Sequence, residues 1–320
     1  KSRELPSKEE SLPYSNPLFT HPDLRQQMRY IAQFITYKCS HILSHGMLRN
    51  RQRWGVAYTH SGWKNLVMWK ATRIENPKGR FLADPFVISR DGKDYCFVED
   101  YDYASQRGCI SVYACGAQGA TCVGLALSEP FHLSFPYLFE HKNTLYMVPE
   151  SAKNKDIRIY ECVSFPCEWK LKRVVMSGVS AADNMIFKQG DYWWLFTNMN
   201  PQSNAEHCSE LSAFYTDDPI EGEWTPHAAN PLIIDPARAR NGGILFDETS
   251  VYRVVQRFGY MQYGAGSAIY KITQLDPERY AETLLCEIKP NFFKRLLGTH
   301  HMHSNGVITA FDFVEKTKLD

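Results

Sequence analysis

Asp84-Pro-Phe-Val-Ile, followed by Tyr95-Cys-Phe-Val-Glu-Asp, reads as a short apolar strand, a polar turn and a second, aromatic-rich strand. The same phrase returns at intervals of about fifty residues. It recurs as Phe135-Pro-Tyr-Leu-Phe with Leu145-Tyr-Met-Val-Pro-Glu-Ser, and as Asp183-Asn-Met-Ile-Phe with Tyr192-Trp-Trp-Leu-Phe-Thr. It closes as Asn241-Gly-Gly-Ile-Leu-Phe with Ser250-Val-Tyr-Arg-Val-Val-Gln, and as His303-Ser-Asn-Gly-Val-Ile with Ala310-Phe-Asp-Phe-Val-Glu. A unit of this size cannot bury its apolar faces alone and must stack on its neighbours. The expected fold is therefore all-β, a five-bladed β-propeller. Chance aromatic spacing in a β-sandwich would have to produce the same phrase five times in order.

The outer strands repeat as well. Ile110-Ser-Val-Tyr, Ile157-Arg-Ile-Tyr, Leu211-Ser-Ala-Phe-Tyr and Ala268-Ile-Tyr-Lys-Ile fit a third strand, and Glu168-Trp169 and Glu223-Trp224 begin a fourth. The blades then cover residues 80–128, 129–178, 179–232, 238–290 and 299–317. The last has two strands only, so Trp54-Gly-Val-Ala-Tyr and Val67-Met-Trp-Lys-Ala-Thr-Arg-Ile, within 53–76, are expected to complete it and leave no open sheet edge. This divides the chain into an N-terminal tail and helix (1–50) and a propeller domain (51–320). Apolar residues Leu24, Met28, Ile31, Ile35, Cys39, Ile42 and Leu43 recur at helical spacing after Pro22-Asp23. The plain expectation is a helix packed on the side or bottom of the propeller; the alternative is a helix for a partner or a membrane surface.

Lys+Arg total 36 and Asp+Glu 35, a net charge of +1, which gives no support to nucleic-acid binding. No apolar run is long enough to span a bilayer. The chain begins at Lys1 rather than Met, so the lack of a leader decides little. The nine cysteines form no CxxC pair, and there is no Asn-x-Ser/Thr acceptor. Both lean towards a reducing compartment. The expectation is cytoplasmic, peripheral to a membrane or not, with the Golgi lumen as the alternative.

The innermost strand of each propeller blade lines the axis, so residues just before it ring the channel mouth. Here they are Asp84, His132 with Ser134, Asp183 with Asn184, Arg240 with Asn241, and His300, His301 and His303. Acids, an arginine and histidines converging on one funnel form an active-site composition. Asp84 is the candidate base or nucleophile, with Asp183 its partner carboxylate and Glu150 a third catalytic candidate. Glu99, Asp100 and Arg238 join the binding set; a guanidinium suits phosphate or carboxylate. For each, turn capping or a surface ion pair is the competing role. In His300-His301-Met-His303 only His301 and His303 would share a strand face, so no metal site is assigned, though a divalent cation is left open. Tyr101, Tyr103 and Trp63 are candidate sugar-stacking rings.

Ala83-Asp-Pro-Phe, Phe97-Val-Glu-Asp, His132-Leu-Ser-Phe-Pro, Met147-Val-Pro-Glu-Ser, Ala182-Asp-Asn, Trp193-Trp-Leu-Phe-Thr, Ala239-Arg-Asn-Gly-Gly and His300-His301 together resemble the propeller domain of glucosamine inositolphosphorylceramide transferases and their bacterial relatives. More distantly the layout is similar to five-bladed glycosidases of the arabinanase and invertase type. That likeness implies Asp84 as base or nucleophile and Asp183 as a supporting acid. It also implies a glutamic acid proton donor in blade four, where this chain has Arg240-Asn241-Gly-Gly, and an Arg-Asp-Pro in blade two, where it has Ser134-Phe-Pro. A phosphate leaving group needs positive charge more than a proton. The resemblance therefore implies a glycosyltransferase moving a sugar, a furanosyl unit among the options, from a phosphate-activated donor to a glycan or glycolipid, alone or with another biosynthetic domain. A glycoside hydrolase with Glu150 as acid, and a non-catalytic carbohydrate-binding propeller, are the two alternatives.

Overall fold

The computed structural model describes residues 21–43, 50–200, 207–259 and 262–318. Five antiparallel sheets form the blades of a β-propeller, and four of them are built from successive strands. Blade one runs Arg80–Arg90, Lys93–Asp102, Arg107–Gly116 and Gly119–Leu127 from axis to rim. The fifth is composite. Its second strand, Thr309–Lys318, pairs over its full length with Asn50–Thr59, and Thr72–Ile74 adds the outer edge. This is the expected closure, and it removes the edges an open ring would leave. Apolar side chains at alternate positions fill the spaces between blades, with Phe86, Phe97, Phe135, Trp194 and Phe196 fully buried.

Four innermost strands share a defect near their start. The pairing slips between Ala83 and Phe86, Ser134 and Tyr137, Ala182 and Met185, and Asn241 and Gly243. At each slip a residue takes positive φ: Asp84 (49°), Phe135 (47°), Asp183 (49°) and Gly243 (126°). A bulge of this kind re-aims one side chain and costs local strain. It turns the bulged residue towards the axis. The blade-two equivalent of Asp84 is thus Phe135, not Ser134, one residue away from the sequence expectation.

The innermost strand of blade five is broken into Leu296–Gly298 and Met302–Ser304. His300 and His301 lie in the break, and both of their N–H groups donate to Asp312 Oδ1, at 2.9 and 3.0 Å. The glycines of Asn241-Gly-Gly make room for this segment. A Cβ on Gly242 would stand 2.4 Å from His300 O, and one on Gly243 2.2 Å from Met302 O.

One helix, α1 (Leu24–Ile42), precedes the propeller, with Asp23 and Gln26 forming a reciprocal cap. It departs from the plain expectation of a packed helix. Leu24, Met28, Ile31, Ile35 and Ile42 are 48–73% exposed.

Candidate active site

A cavity of about 290 Å³ opens at the end of the propeller where the bulges lie. Asp84, Glu99, His132, Ser134, Glu150, Asp183, Arg240 and His300 line it, from all five blades. Trp54, Phe81, Tyr101 and Tyr263 supply its apolar walls.

Asp183 and Arg240 form the centre of one half. The Arg240 Nε donates to Asp183 Oδ2, and Gln256 Nε2 donates to the same oxygen at 2.9 Å. Arg240 also stands 3.7 Å from Glu150 Oε2. Burial first, then Asp183, push the Glu150 carboxyl up to about 8, against the pull of Arg240. Glu150 therefore carries its proton at neutral pH. Glu99 is also held well above the ordinary range, by burial and then by Asp84 and Glu150. Burial pulls His132 down to about 4, so it is neutral. Its Nδ1 accepts from Gly108 N–H at 2.8 Å, which leaves the proton on Nε2, 3.5 Å from Glu99.

The other half is a line of three groups. His300 Nδ1 lies 2.5 Å from Asp312 Oδ2, and His300 Nε2 lies 3.7 Å from Asp84 Oδ1. Burial opposes charge on His300, but Asp312 and Asp84 outweigh it and raise its pKa. Burial is the largest influence on Asp84 and lifts it to about 7; His300 pulls down, and Asp312 and Asp183 add to the rise. Asp84 Oδ1 is buried with no hydrogen-bond partner among the described residues. Trp54 stacks on the His300 ring at 4.1 Å, and Tyr263 meets both rings edge-on.

Burial raises the Glu99 and Glu150 carboxyls, and Arg240 and His300 face carboxylates, so the charge of the four acids that line the cavity is partly offset. Among the described residues, Asp84, His300 and Asp312 form a grouping compact enough to hold a cation, with ligand atoms within 4.8 Å of one another. A cation there would compete with the proton on His300.

Several residues expected at the cavity do not line it. Glu99 and Asp100 are neighbours on one strand and face opposite ways. Asp100 accepts from Ser111 Oγ at 2.7 Å and pairs with Arg80 in a separate cleft. Asn184 accepts from Thr197 Oγ1 at 2.7 Å, and Asn241 donates to Asp183 O at 3.1 Å, so both brace the bulge from behind. The Arg238 guanidinium lies 6.0 Å from the Tyr270 ring, on the outer part of blade four. His301 turns away from His300 into an aromatic box with Phe86 and Phe135, where burial holds it neutral. Among the stacking candidates, Tyr101 lines the cavity and Tyr103 packs on it and on Phe81. Trp63 lies elsewhere, against Tyr252, with its indole N–H on Phe246 O.

Asp312, Gln256, Trp54 and Tyr263 were not anticipated. Asp312 lies within the quoted second strand of blade five, Ala310-Phe-Asp-Phe-Val-Glu. Aligned on the shared Phe-Val-Glu of the second strands, however, Asp312 falls opposite Cys96, so the repeat itself does not mark it as a site acid.

Fold and site define a five-bladed propeller with a carboxylate-lined pocket on its axis. Residues 62–296 match the family model for the N-terminal part of glucosamine inositolphosphorylceramide transferase 1, and the chain belongs to that family. It is 35% identical over 239 residues to "Glucosamine inositolphosphorylceramide transferase 1" of Oryza sativa subsp. japonica, covering 73% of this chain and 31% of that protein. It is 34% identical over 207 residues to the protein of the same name from Arabidopsis thaliana, covering 63% and 27%. The chain thus spans about a third of the length of these relatives. Among solved structures, the catalytic domain of a Coprinopsis cinerea GH62 α-L-arabinofuranosidase superposes with a TM-score of 0.55 at 12% identity, covering 83% of this chain and 97% of that one. At that identity the likeness is one of fold.

Proposed function

We propose that this propeller transfers a glycosyl group from a phosphate-activated donor to a hydroxyl of a glycan or glycolipid, with Asp84 as the base. One observation carries the reading: Asp84 lines the cavity with a carboxyl oxygen that has no hydrogen-bond partner, 3.7 Å from His300, which Asp312 holds from its other side. A base is most effective when its pKa lies near the working pH, and Asp84 sits at about 7. The acceptor hydroxyl gives its proton to Asp84 as its oxygen bonds to the anomeric carbon, and the donor phosphate leaves with the bonding electrons. Arg240 and His300 are the cations on the cavity wall that a departing phosphate would meet. The transferase naming of the relatives supports the class of reaction.

A specific observation also supports hydrolysis. The glutamic acid proton donor expected in blade four is replaced by Arg240, yet Glu150, beside that arginine, is protonated at neutral pH. It could protonate a glycosidic oxygen, leaving Asp84 to act on water or on the anomeric carbon.

The deciding experiment offers the protein nucleotide sugars, phosphoribosyl pyrophosphate and glycans, with Asp84→Asn in parallel. Transfer predicts release of the phosphate leaving group only with a donor, lost in Asp84→Asn. A sugar freed from a glycan without any donor would establish hydrolysis instead. Full activity of Asp84→Asn in the longer natural protein would make the propeller a binding module.

A further inference from the structure

The sequence between Asp23 and Glu75 contains nine Lys and Arg and no Asp or Glu. The whole chain has a net charge of +1, so the rest carries −8. Within this basic block Lys64 and Arg73 pair with Asp247 and Glu315 of the propeller, and the block begins with α1, whose polar side includes Arg25 and Arg29 and whose apolar stripe of Leu24, Met28, Ile31, Ile35 and Ile42 is bare. Tyr30 and Phe34 flank the stripe with stacked rings, and the Lys38 ammonium lies 5.5 Å from the Phe34 ring. A solvent-exposed apolar stripe edged by aromatics and cations, with no acid, is the composition of a helix lying in a lipid–water interface. No helix among the described residues is long and apolar enough to cross a membrane.

A second copy of the chain fits the stripe less well. The three-then-four spacing that would make a two-helix seam runs Leu24, Met28, Ile31, Ile35 and then reaches Lys38, a charge where a partner helix needs an apolar side chain. At 19 residues α1 also falls short of the three or more heptads of a stable coiled coil. At a bilayer, Lys38 can reach its ammonium to the headgroups while its methylenes stay in the apolar layer.

The number of residues between α1 and the first strand limits how far the helix can stand from that strand. Leu43 and Asn50 are seven residue steps apart, about 25 Å at full extension. The strand Asn50–Thr59 starts beside the cavity. Gln52 hydrogen bonds to Gln262, next to Tyr263, and Trp54 forms part of the cavity wall. We propose that α1 is an interfacial helix that docks the propeller onto an anionic lipid bilayer, with the cavity mouth on the membrane side.

The test sediments the whole chain with vesicles of phosphatidylcholine alone, or of phosphatidylcholine doped with phosphatidylserine. Two variants, Ile31→Ser/Ile35→Ser and Arg25→Gln/Arg29→Gln/Lys38→Gln, alter only exposed positions, so the thermal midpoint should stay unchanged and certify folding. The expected result is about ten-fold more protein on the anionic vesicles, reduced by added salt and lost in both variants. Transfer to a soluble acceptor should persist in both, which separates failure of docking from failure of the catalytic reading. Equal binding to the two vesicle types, or none, overturns the proposal. So does a dimer by light scattering that Ile31→Ser/Ile35→Ser converts to monomer, since the stripe would then belong to a second copy.

Discussion

Asp84 and Asp183 occupy the same bulge two blades apart, with the same φ of 49°, yet only Asp183 is clamped. Arg240 and Gln256 converge on Asp183 Oδ2, whereas Asp84 Oδ1 has no hydrogen-bond partner. One backbone device thus presents a clamped countercharge in blade three and, in blade one, a carboxyl held only by a looser 3.7 Å pairing with His300. Replacing each by asparagine should separate the roles. Asp84→Asn should lower kcat by about 10²–10⁴-fold, the usual contribution of general base catalysis, with little change in thermal midpoint. Asp183→Asn leaves the buried Arg240 without its main partner and should cost about 3–5 kcal/mol of stability in denaturant titration. Equal losses of kcat with equal stability would refute this division.

The pH profile follows from which protons the reaction needs. Asp84 must be deprotonated to act as base and rises through about 7; Glu150 holds its proton up to about 8. If both forms are required, kcat should follow a narrow bell between these values. Glu150→Gln should abolish the alkaline limb and keep the acid limb. A transfer reaction with no need for the Glu150 proton would show the acid limb alone.

Stability should move the other way. Asp84 and Glu150 have folded-state pKa values raised from 3.8 and 4.5 to about 7 and 8. Between those limits the folded protein binds more protons than the unfolded chain, so the stabilisation present below pH 4 is lost as pH rises through 7 and 8. The thermal midpoint should fall between pH 5 and 8, and Asp84→Asn with Glu150→Gln should flatten that fall. A midpoint that rises over this range would show that these carboxyls are ionised when folded.

Much of this was legible in the chain, for identifiable reasons. The blades announce themselves because each inner strand is a run of buried apolar residues and each second strand is aromatic, a pattern local in sequence. Asp84, Asp183 and Arg240 could be placed because they stand directly before those runs. What the sequence hid depends on single-residue offsets. The Asp84-type bulge moves the inward position by one, which is why Phe135 rather than Ser134 takes the equivalent place. Glu99 and Asp100 cannot both face the axis, and nothing local says which one does. Trp54 and Tyr263 reach the cavity only because the ring closes, and closure brings together residues 209 apart in the chain.

Beside that closure, blades four and five meet at a backbone contact with no room for a side chain. A Cβ on Gly298 would lie 1.9 Å from Gly264 O, and one on Gly264 would meet Trp54 and His300. Gly298→Ala should cost about 1–3 kcal/mol, as overpacking does. It should also lower activity more than the stability loss explains, because Trp54 stacks on His300 and would carry the shift into the line of groups ending at Asp84. Unchanged kcat in a folded Gly298→Ala protein would show that the stack has no part in positioning His300.

Arg253 offers a sharper test of positioning at a distance. It is fully buried, pairs with Glu282 at 2.7 Å, and donates to Arg238 O at 2.8 Å and Ala239 O at 3.2 Å. It therefore holds the backbone from which Arg240 reaches Asp183, without touching the cavity. Arg253→Met leaves the buried Glu282 carboxylate without its countercharge, with the Tyr280 hydroxyl still donating to it at 2.6 Å, and should cost about 3–5 kcal/mol. Arg253→Met with Glu282→Leu removes both charges and should recover most of that loss, since a buried pair replaced whole by apolar side chains is often neutral. Activity should not recover with it, because the Arg238 carbonyl has still lost the Arg253 donor, the Ala239 carbonyl keeps only Asn198 of its two side-chain donors, and Arg240 is less firmly held. A double variant that regains both stability and kcat would reduce Arg253 to a charge partner of Glu282.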